Sequence, residues 1–112
     1  MDPLTGDWEP TIGLDELADD EATMVQVSDL DVLVLKHGET IFAIANRCTH
    51  QGAPLHRGVV KASESVPTVT CPAHGSVFSL EDGRIRRGPA TQPLQSFDAR
   101  VNDGVAEVRP RA

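Results

Sequence analysis

An all-β fold, an antiparallel β-sandwich or barrel, is what the sequence predicts, and three observations carry it. Short runs of β-branched and aliphatic residues recur at regular spacing, Gly and Pro stand between them, and only one brief stretch suggests a helix. At 112 residues the chain makes one domain, able to bury a single core. That core is modest, because hydrophobic residues make up 39% and the only aromatics are Trp8, Phe42, Phe78 and Phe97.

Leu14 to Ala18 reads as one helical turn after Gly13, with Asp15 and Glu16 well placed for its N-terminal dipole. Thr23 to Val27 and Val32 to Lys36 read as strands, and Thr40 to Ala45 follows the turn His37-Gly38-Glu39. The run Val32-Leu33-Val34-Leu35 is apolar throughout, so its strand is buried on both faces, while Ile41 and Ala43 face away from Phe42 and Ile44. Gly58 to Lys61 and Thr68 to Thr70 are further strands, and Asp82-Gly83 marks a tight turn. Leu94 to Val101 and Val105 to Arg109 close a terminal hairpin around Asn102-Asp103-Gly104. No internal repeat or low-complexity tract is present.

Composition excludes several classes. No run of about 18 apolar residues exists to form a spanning helix, and the segment Met1 to Glu21 has neither the basic region nor the apolar run of a signal peptide. A net charge of -7 and a pI near 4.9 disfavour nucleic acid as a partner. Charge is uneven, however: Met1 to Asp31 holds ten carboxylates and no Lys or Arg, whereas the remainder has ten basic residues against seven acidic. Arg47, Arg57, Arg84, Arg86 and Arg87 stand in or near the segments described next.

Both cysteines and half of the histidines fall in two short arms, Cys48-Thr49-His50 and Cys71-Pro72-Ala73-His74. One thiolate and one imidazole from each arm would complete a 2Fe-2S cluster held at one iron by two sulfurs and at the other by two nitrogens. Neutral imidazoles leave such a cluster less negative and raise its potential. A structural zinc ion is the rival, since Cys2His2 is also a zinc ligand set, but a zinc finger pairs Cys with Cys and His with His within each arm. Gly52 and Gly75 follow the histidines closely and permit the φ > 0 turns and close backbone approach that a cluster cradle requires. His37 and His56 read as solvated loop histidines, Trp8 as core, and Asp15, Asp19 and Asp20 as a solvated acidic loop.

The arms resemble those of the Rieske family, reading Cys48-Thr-His50-Gln-Gly-Ala-Pro-Leu55 and Cys71-Pro-Ala-His74-Gly-Ser-Val-Phe78. The likeness continues through Glu81-Asp-Gly83 and Arg87-Gly-Pro-Ala90, from Trp8 to Arg109. Respiratory and photosynthetic members carry a further cysteine in each arm, joined as a disulfide; here those positions are Ala53 and Ala73. The chain is therefore similar to the disulfide-free Rieske-type ferredoxins that feed electrons to oxygenases in the reducing bacterial cytosol.

This resemblance implies a base, residues 1–45 and 90–112, into which a cluster-binding subdomain, residues 46–89, is inserted as two loops. It implies Cys48 and Cys71 on one iron and His50 and His74 on the other of a single Rieske-type 2Fe-2S cluster, with the imidazoles facing outward. Pro89 belongs to a loop covering a third side. Ser76 occupies the place of a hydroxyl that bonds a bridging sulfide, while Phe78 replaces a tyrosine whose hydroxyl bonds a ligand sulfur in high-potential members. One donor present and one absent imply a potential in the lower part of the Rieske range of about -150 to +300 mV.

The implied function is one-electron transfer from a flavin-dependent reductase to a terminal oxygenase, by a cytoplasmic monomer that is not itself an enzyme. Alternatives are a small subunit or detached Rieske domain of a larger oxidoreductase, and a 2Fe-2S redox sensor. A catalytic Rieske oxygenase would need a second domain with a 2-His-1-carboxylate iron site. The charge pattern suggests that a partner's acidic groups meet Arg47, Arg57 and Arg86 or Arg87, with the acidic N-terminal third facing away.

Overall fold

In the computed structural model, described for residues 8–50 and 52–111, ten strands form three antiparallel sheets. The carboxylates of Asp2 and Asp7, counted in the acidic N-terminal segment, lie outside the described residues. The first sheet has the order β1 (Glu9–Gly13), β10 (Val105–Pro110), β9 (Phe97–Asn102); the second is β2 (Thr23–Val27), β3 (Leu30–His37), β4 (Thr40–Ala45). The third is a meander of β5 (Val59–Lys61), β6 (Thr68–Thr70), β7 (Val77–Ser79) and β8 (Ile85–Arg87).

The doubly buried strand sits where its composition requires. Val32, Leu33, Val34 and Leu35 are all fully buried, because β3 is the middle strand of the middle layer. With a period of two, Leu33 and Leu35 pair with Ile44 and Phe42 on one face, and Val34 pairs with Ala43 on the other. The first face packs on Leu55, Val69, Phe78 and Leu80 from the segment containing the third sheet; the second packs on Phe97, Ala106 and Val108 of the first sheet. Two cores thus share one sheet, and both cysteines belong to the first core.

The helical turn predicted at Leu14 to Ala18 is a single 3-10 turn, Leu14–Glu16. At the terminal hairpin, Asp103 and Gly104 take φ of 54° and 76°, the left-handed pair that a two-residue turn of this kind demands. Three strands exceed the sequence prediction: β1, β7 and β8. In the other direction, Gly58 caps a 3-10 turn (Leu55–Arg57) rather than starting β5, and Leu94 and Gln95 precede β9 as connecting chain.

Trp8 is half-buried rather than core. The guanidinium carbons of Arg100 and Arg109 stand 4.5 and 4.4 Å from its ring centroid, so the ring is held by cation-π contact. Both arginines also pair with the carboxylates directly opposite them across β9 and β10, Arg100 with Glu107 at 2.7 Å and Arg109 with Asp98 at 3.5 Å. The acidic loop is likewise not wholly solvated, since Asp19 pairs with Lys36 at 3.1 Å and Asp20 with His37 Nδ1 at 2.5 Å.

Candidate metal centre

The two arms fold by the same local rule despite their different spacing. In the first, the Cys48 N–H donates to Ala53 O at 2.9 Å and the Gly52 N–H donates to Cys48 O at 2.7 Å. In the second, the Cys71 N–H donates to Ser76 O at 2.7 Å and the Gly75 N–H donates to Cys71 O at 3.2 Å. Each loop closes on a glycine four residues after its cysteine, with φ of 76° at Gly52 and 80° at Gly75. That left-handed conformation is costly for residues with a Cβ, which explains why glycine stands at both positions.

These loops bury the sulfurs and expose the rings. Cys48 and Cys71 are 2% and 3% exposed and pack among the apolar side chains of the first core, whereas His50 and His74 lie at the surface. The imidazoles meet edge to face, with centroids 5.2 Å apart and planes at 88°. The donors therefore form a buried sulfur end and an exposed nitrogen end.

Such an arrangement fits a two-iron cluster. Tetrahedral zinc would draw four donors around one ion, whereas here the two thiols lie in the core and the two imidazoles at the surface. A 2Fe-2S unit instead takes its ligands in two pairs, and the buried sulfur end supplies the shelter from water that tunes such a unit.

A third segment ties the arms together. Thr49 Oγ1 donates to Gln92 O at 2.6 Å, and the Ala90 N–H donates to Ser76 Oγ at 3.0 Å. The chain from the cis Gly88-Pro89 bond to Gln92 is thus bonded to one arm at each of two points. These two hydrogen bonds tie both arms to one common segment. Ser76 is fully buried, and accepting the Ala90 N–H uses a lone pair, leaving its own proton available to donate. Phe78 is also fully buried, in the same core as both cysteines.

Sequence reasoning missed a clamp at the foot of the first arm. The buried Asn46 accepts the His56 N–H at Oδ1 (2.7 Å) and donates from Nδ2 to His56 Nδ1 (2.8 Å). The loop from residue 46 to 56 is therefore pinned at its neck, and His56 is a half-buried structural partner rather than a solvated loop residue. Arg47, one residue on, lies over Gly52, where an added Cβ would come within 3.0 Å of its Nε.

Comparisons with known proteins agree with this geometry. The model of the Rieske [2Fe-2S] domain family matches residues 7–98. The anthranilate 1,2-dioxygenase ferredoxin subunit of Burkholderia cepacia is 28% identical over 102 residues, 91% of each chain. The 3-phenylpropionate/cinnamic acid dioxygenase ferredoxin subunit of Photorhabdus laumondii is 33% identical over 81% of this chain and 83% of its own length. Among solved structures, the ferredoxin of carbazole 1,9a-dioxygenase from Nocardioides aromaticivorans superposes with a TM-score of 0.86 at 27% identity, covering 95% of this chain and all of the other. The chain belongs to the Rieske [2Fe-2S] domain family, and its cofactor is a 2Fe-2S cluster.

Proposed function

We propose that this protein is a one-electron carrier that passes electrons from a flavin-dependent reductase to a terminal oxygenase, as a monomer in the cytosol. The observation that carries the reading is the polarity of the site: two buried thiols at one end and two exposed imidazoles in mutual contact at the other. In this reading Cys48 and Cys71 hold one iron and His50 and His74 the other, and the imidazoles form the electron's exit. The bound cluster supplies reversible one-electron chemistry. The protein's part is to fix the ligands and exclude water from the sulfur end. It presents the nitrogen end to a partner and needs no substrate pocket.

Residues 46–89 act as the cluster-binding subdomain, and residues 1–45 and 90–112 as the base. The Ala45 N–H donates to Gln95 O at 2.8 Å, joining the two base segments across the insertion, which supports this division. Relatives named as ferredoxin subunits of dioxygenases, matched over most of their length, favour a carrier component over an enzyme. Among the described residues no helix is long and apolar enough to cross a membrane.

Potentiometry tests this reading. A single one-electron wave is expected in the lower part of the Rieske range, about -150 to +300 mV. Ser76→Ala should lower the midpoint, because a donor to sulfide favours the more negative reduced state. The same substitution leaves the buried Ala90 N–H without its acceptor, at a cost of about 1–3 kcal/mol in stability. Phe78→Tyr should raise the midpoint. Unchanged midpoints in both variants would show that neither side chain addresses the sulfurs, and the absence of any one-electron wave would end the carrier reading.

A further inference from the structure

Among the described residues, the Lys and Arg outside the cluster-binding segment are all ion-paired: Lys36 with Asp19, Arg100 with Glu107, and Arg109 and Arg111 with a shared Asp98. Inside residues 46–89 the pattern reverses. Six Lys and Arg face three Asp and Glu in a chain whose net charge is -7, and among the described residues only Arg84 of the six has an ion pair, with Asp82.

Three of the unpaired cations gather on one surface. The third sheet has an apolar inner row, Val60, Val69, Phe78 and Ile85, turned to the core. Its outer row at the metal-site end is Val59, Thr70, Val77 and Arg87, adjacent across four strands. Val77 pairs with Arg87 and Phe78 with Ile85, so Arg86 is the extra residue of a β-bulge. A bulge re-aims side chains that would otherwise alternate. Arg86 and Arg87 consequently line the same depression, of about 370 Å³, together with Lys61, Thr68, Thr70 and Val77. Val59, 60% exposed, stands in the same row.

We propose that this outer face, carrying Lys61, Arg86 and Arg87, is the surface on which an acidic face of a redox partner protein docks. The inference rests on the electron-carrier reading and adds to it the place and chemistry of the contact. Thr70 immediately precedes Cys71 and Val77 immediately follows Ser76, so a partner seated here lies beside the second arm. Unpaired cations steer a carboxylate-bearing surface into that position, and the exposed valine and threonine hydroxyls give it apolar and hydrogen-bonding contact. The first arm is less suited. Arg47 borders a separate depression that also holds Asp31, so the acidic N-terminal third reaches that side instead of facing away from it.

The test uses the holoprotein reduced by dithionite and hexacyanoferrate(III) as an anionic oxidant; one electron leaves the protein and hexacyanoferrate(II) is formed. If net charge governed the encounter, the rate would rise with salt. The proposal requires it to fall as ionic strength goes from about 0.01 to 0.15 M and the Debye length shrinks from about 30 to 8 Å. A K61Q/R86Q/R87Q variant should react several-fold more slowly at low salt, with the salt dependence flattened or inverted, and R87Q alone should lie between. R47Q/R57Q should change the rate less. A deca-glutamate peptide should slow the wild type and spare the triple variant.

A wild-type rate that rises with salt, or a larger effect of R47Q/R57Q, would overturn the proposal. Stronger inhibition by a single-stranded oligonucleotide than by the peptide would also overturn it. A chain that cannot be reduced and reoxidised reversibly would instead contradict the carrier reading, so the two failures are distinguishable.

Discussion

Single replacement of Cys48, His50, Cys71 or His74 by alanine should give a colourless protein with almost no bound iron, whereas His37→Ala should keep its colour. Two thiolates and two imidazoles are the full complement that a Rieske-type cluster takes from a chain, and this chain has only two cysteines. No substitute thiol is at hand. Each arm's backbone bonds involve main-chain atoms alone, from Cys48 to Ala53 and from Cys71 to Ser76. Alanine can therefore keep the loop while removing the ligand. His37 lies at the end of β3 against Asp20, and its loss touches none of these bonds. Iron analysis and visible absorbance decide the matter. More than half of the wild-type iron in any of the four variants would remove that residue from the ligand set.

Gly58→Ala should strongly destabilise the fold. With φ of -84° and ψ of -172°, the backbone at Gly58 is open to any residue, so the penalty is steric. A Cβ there would stand 1.9 Å from Thr70 O, a main-chain atom one residue before Cys71. Relief requires β5 to move away from β6 at the end nearest the second arm. Overpacking of this kind typically costs about 1–3 kcal/mol, and the backbone character of the obstacle places Gly58→Ala at the upper end. Displacement of Thr70 should also reduce the iron retained on purification. Gly38→Ala is the comparison: its Cβ meets nothing within 4 Å, and only the left-handed penalty of about 1–2 kcal/mol applies. Equal melting temperatures for the two variants would show that β5 and β6 are not so closely apposed.

What could be read from the sequence was whatever is encoded locally. Val32 to Leu35 announced a strand buried on both faces because no polar residue interrupts it, and the structure places it in the middle layer with a core on each side. The left-handed turns at Gly52, Gly75 and Asp103-Gly104 were legible for the same reason, since few residues tolerate that conformation. The missed strands lack a local signal. Ile85–Arg87 has two arginines in three residues, Glu9–Gly13 contains proline and glycine, and Val77–Ser79 is too short to show a period. Each is defined by its partners: β1 by the distant β10, and β7 and β8 by neighbouring strands of the meander.

The site divides in the same way. The candidate donors stand out in the sequence as residue types at a spacing, and the glycines beside them take the φ > 0 turns expected of them. The ties among the site's loops do not stand out. Asn46 with His56, Thr49 with Gln92 and Ser76 with Ala90 join positions 10, 43 and 14 residues apart. None of these polar side chains differs in sequence from one that meets only water. Gly58 looked like the start of a strand because it precedes Val59 and Val60; its role as a point of close approach appears only once Thr70 is beside it.

Electron paramagnetic resonance of the reduced holoprotein grown with isotopically labelled histidine tests the central claim most directly. Two irons and two acid-labile sulfides per chain, a rhombic signal from the reduced cluster, and hyperfine coupling to two histidine nitrogens are the expected results, one coupling assigned to His50 and one to His74. A colourless protein holding a single zinc ion, or a reduced cluster with no histidine nitrogen coupled to it, would contradict the account.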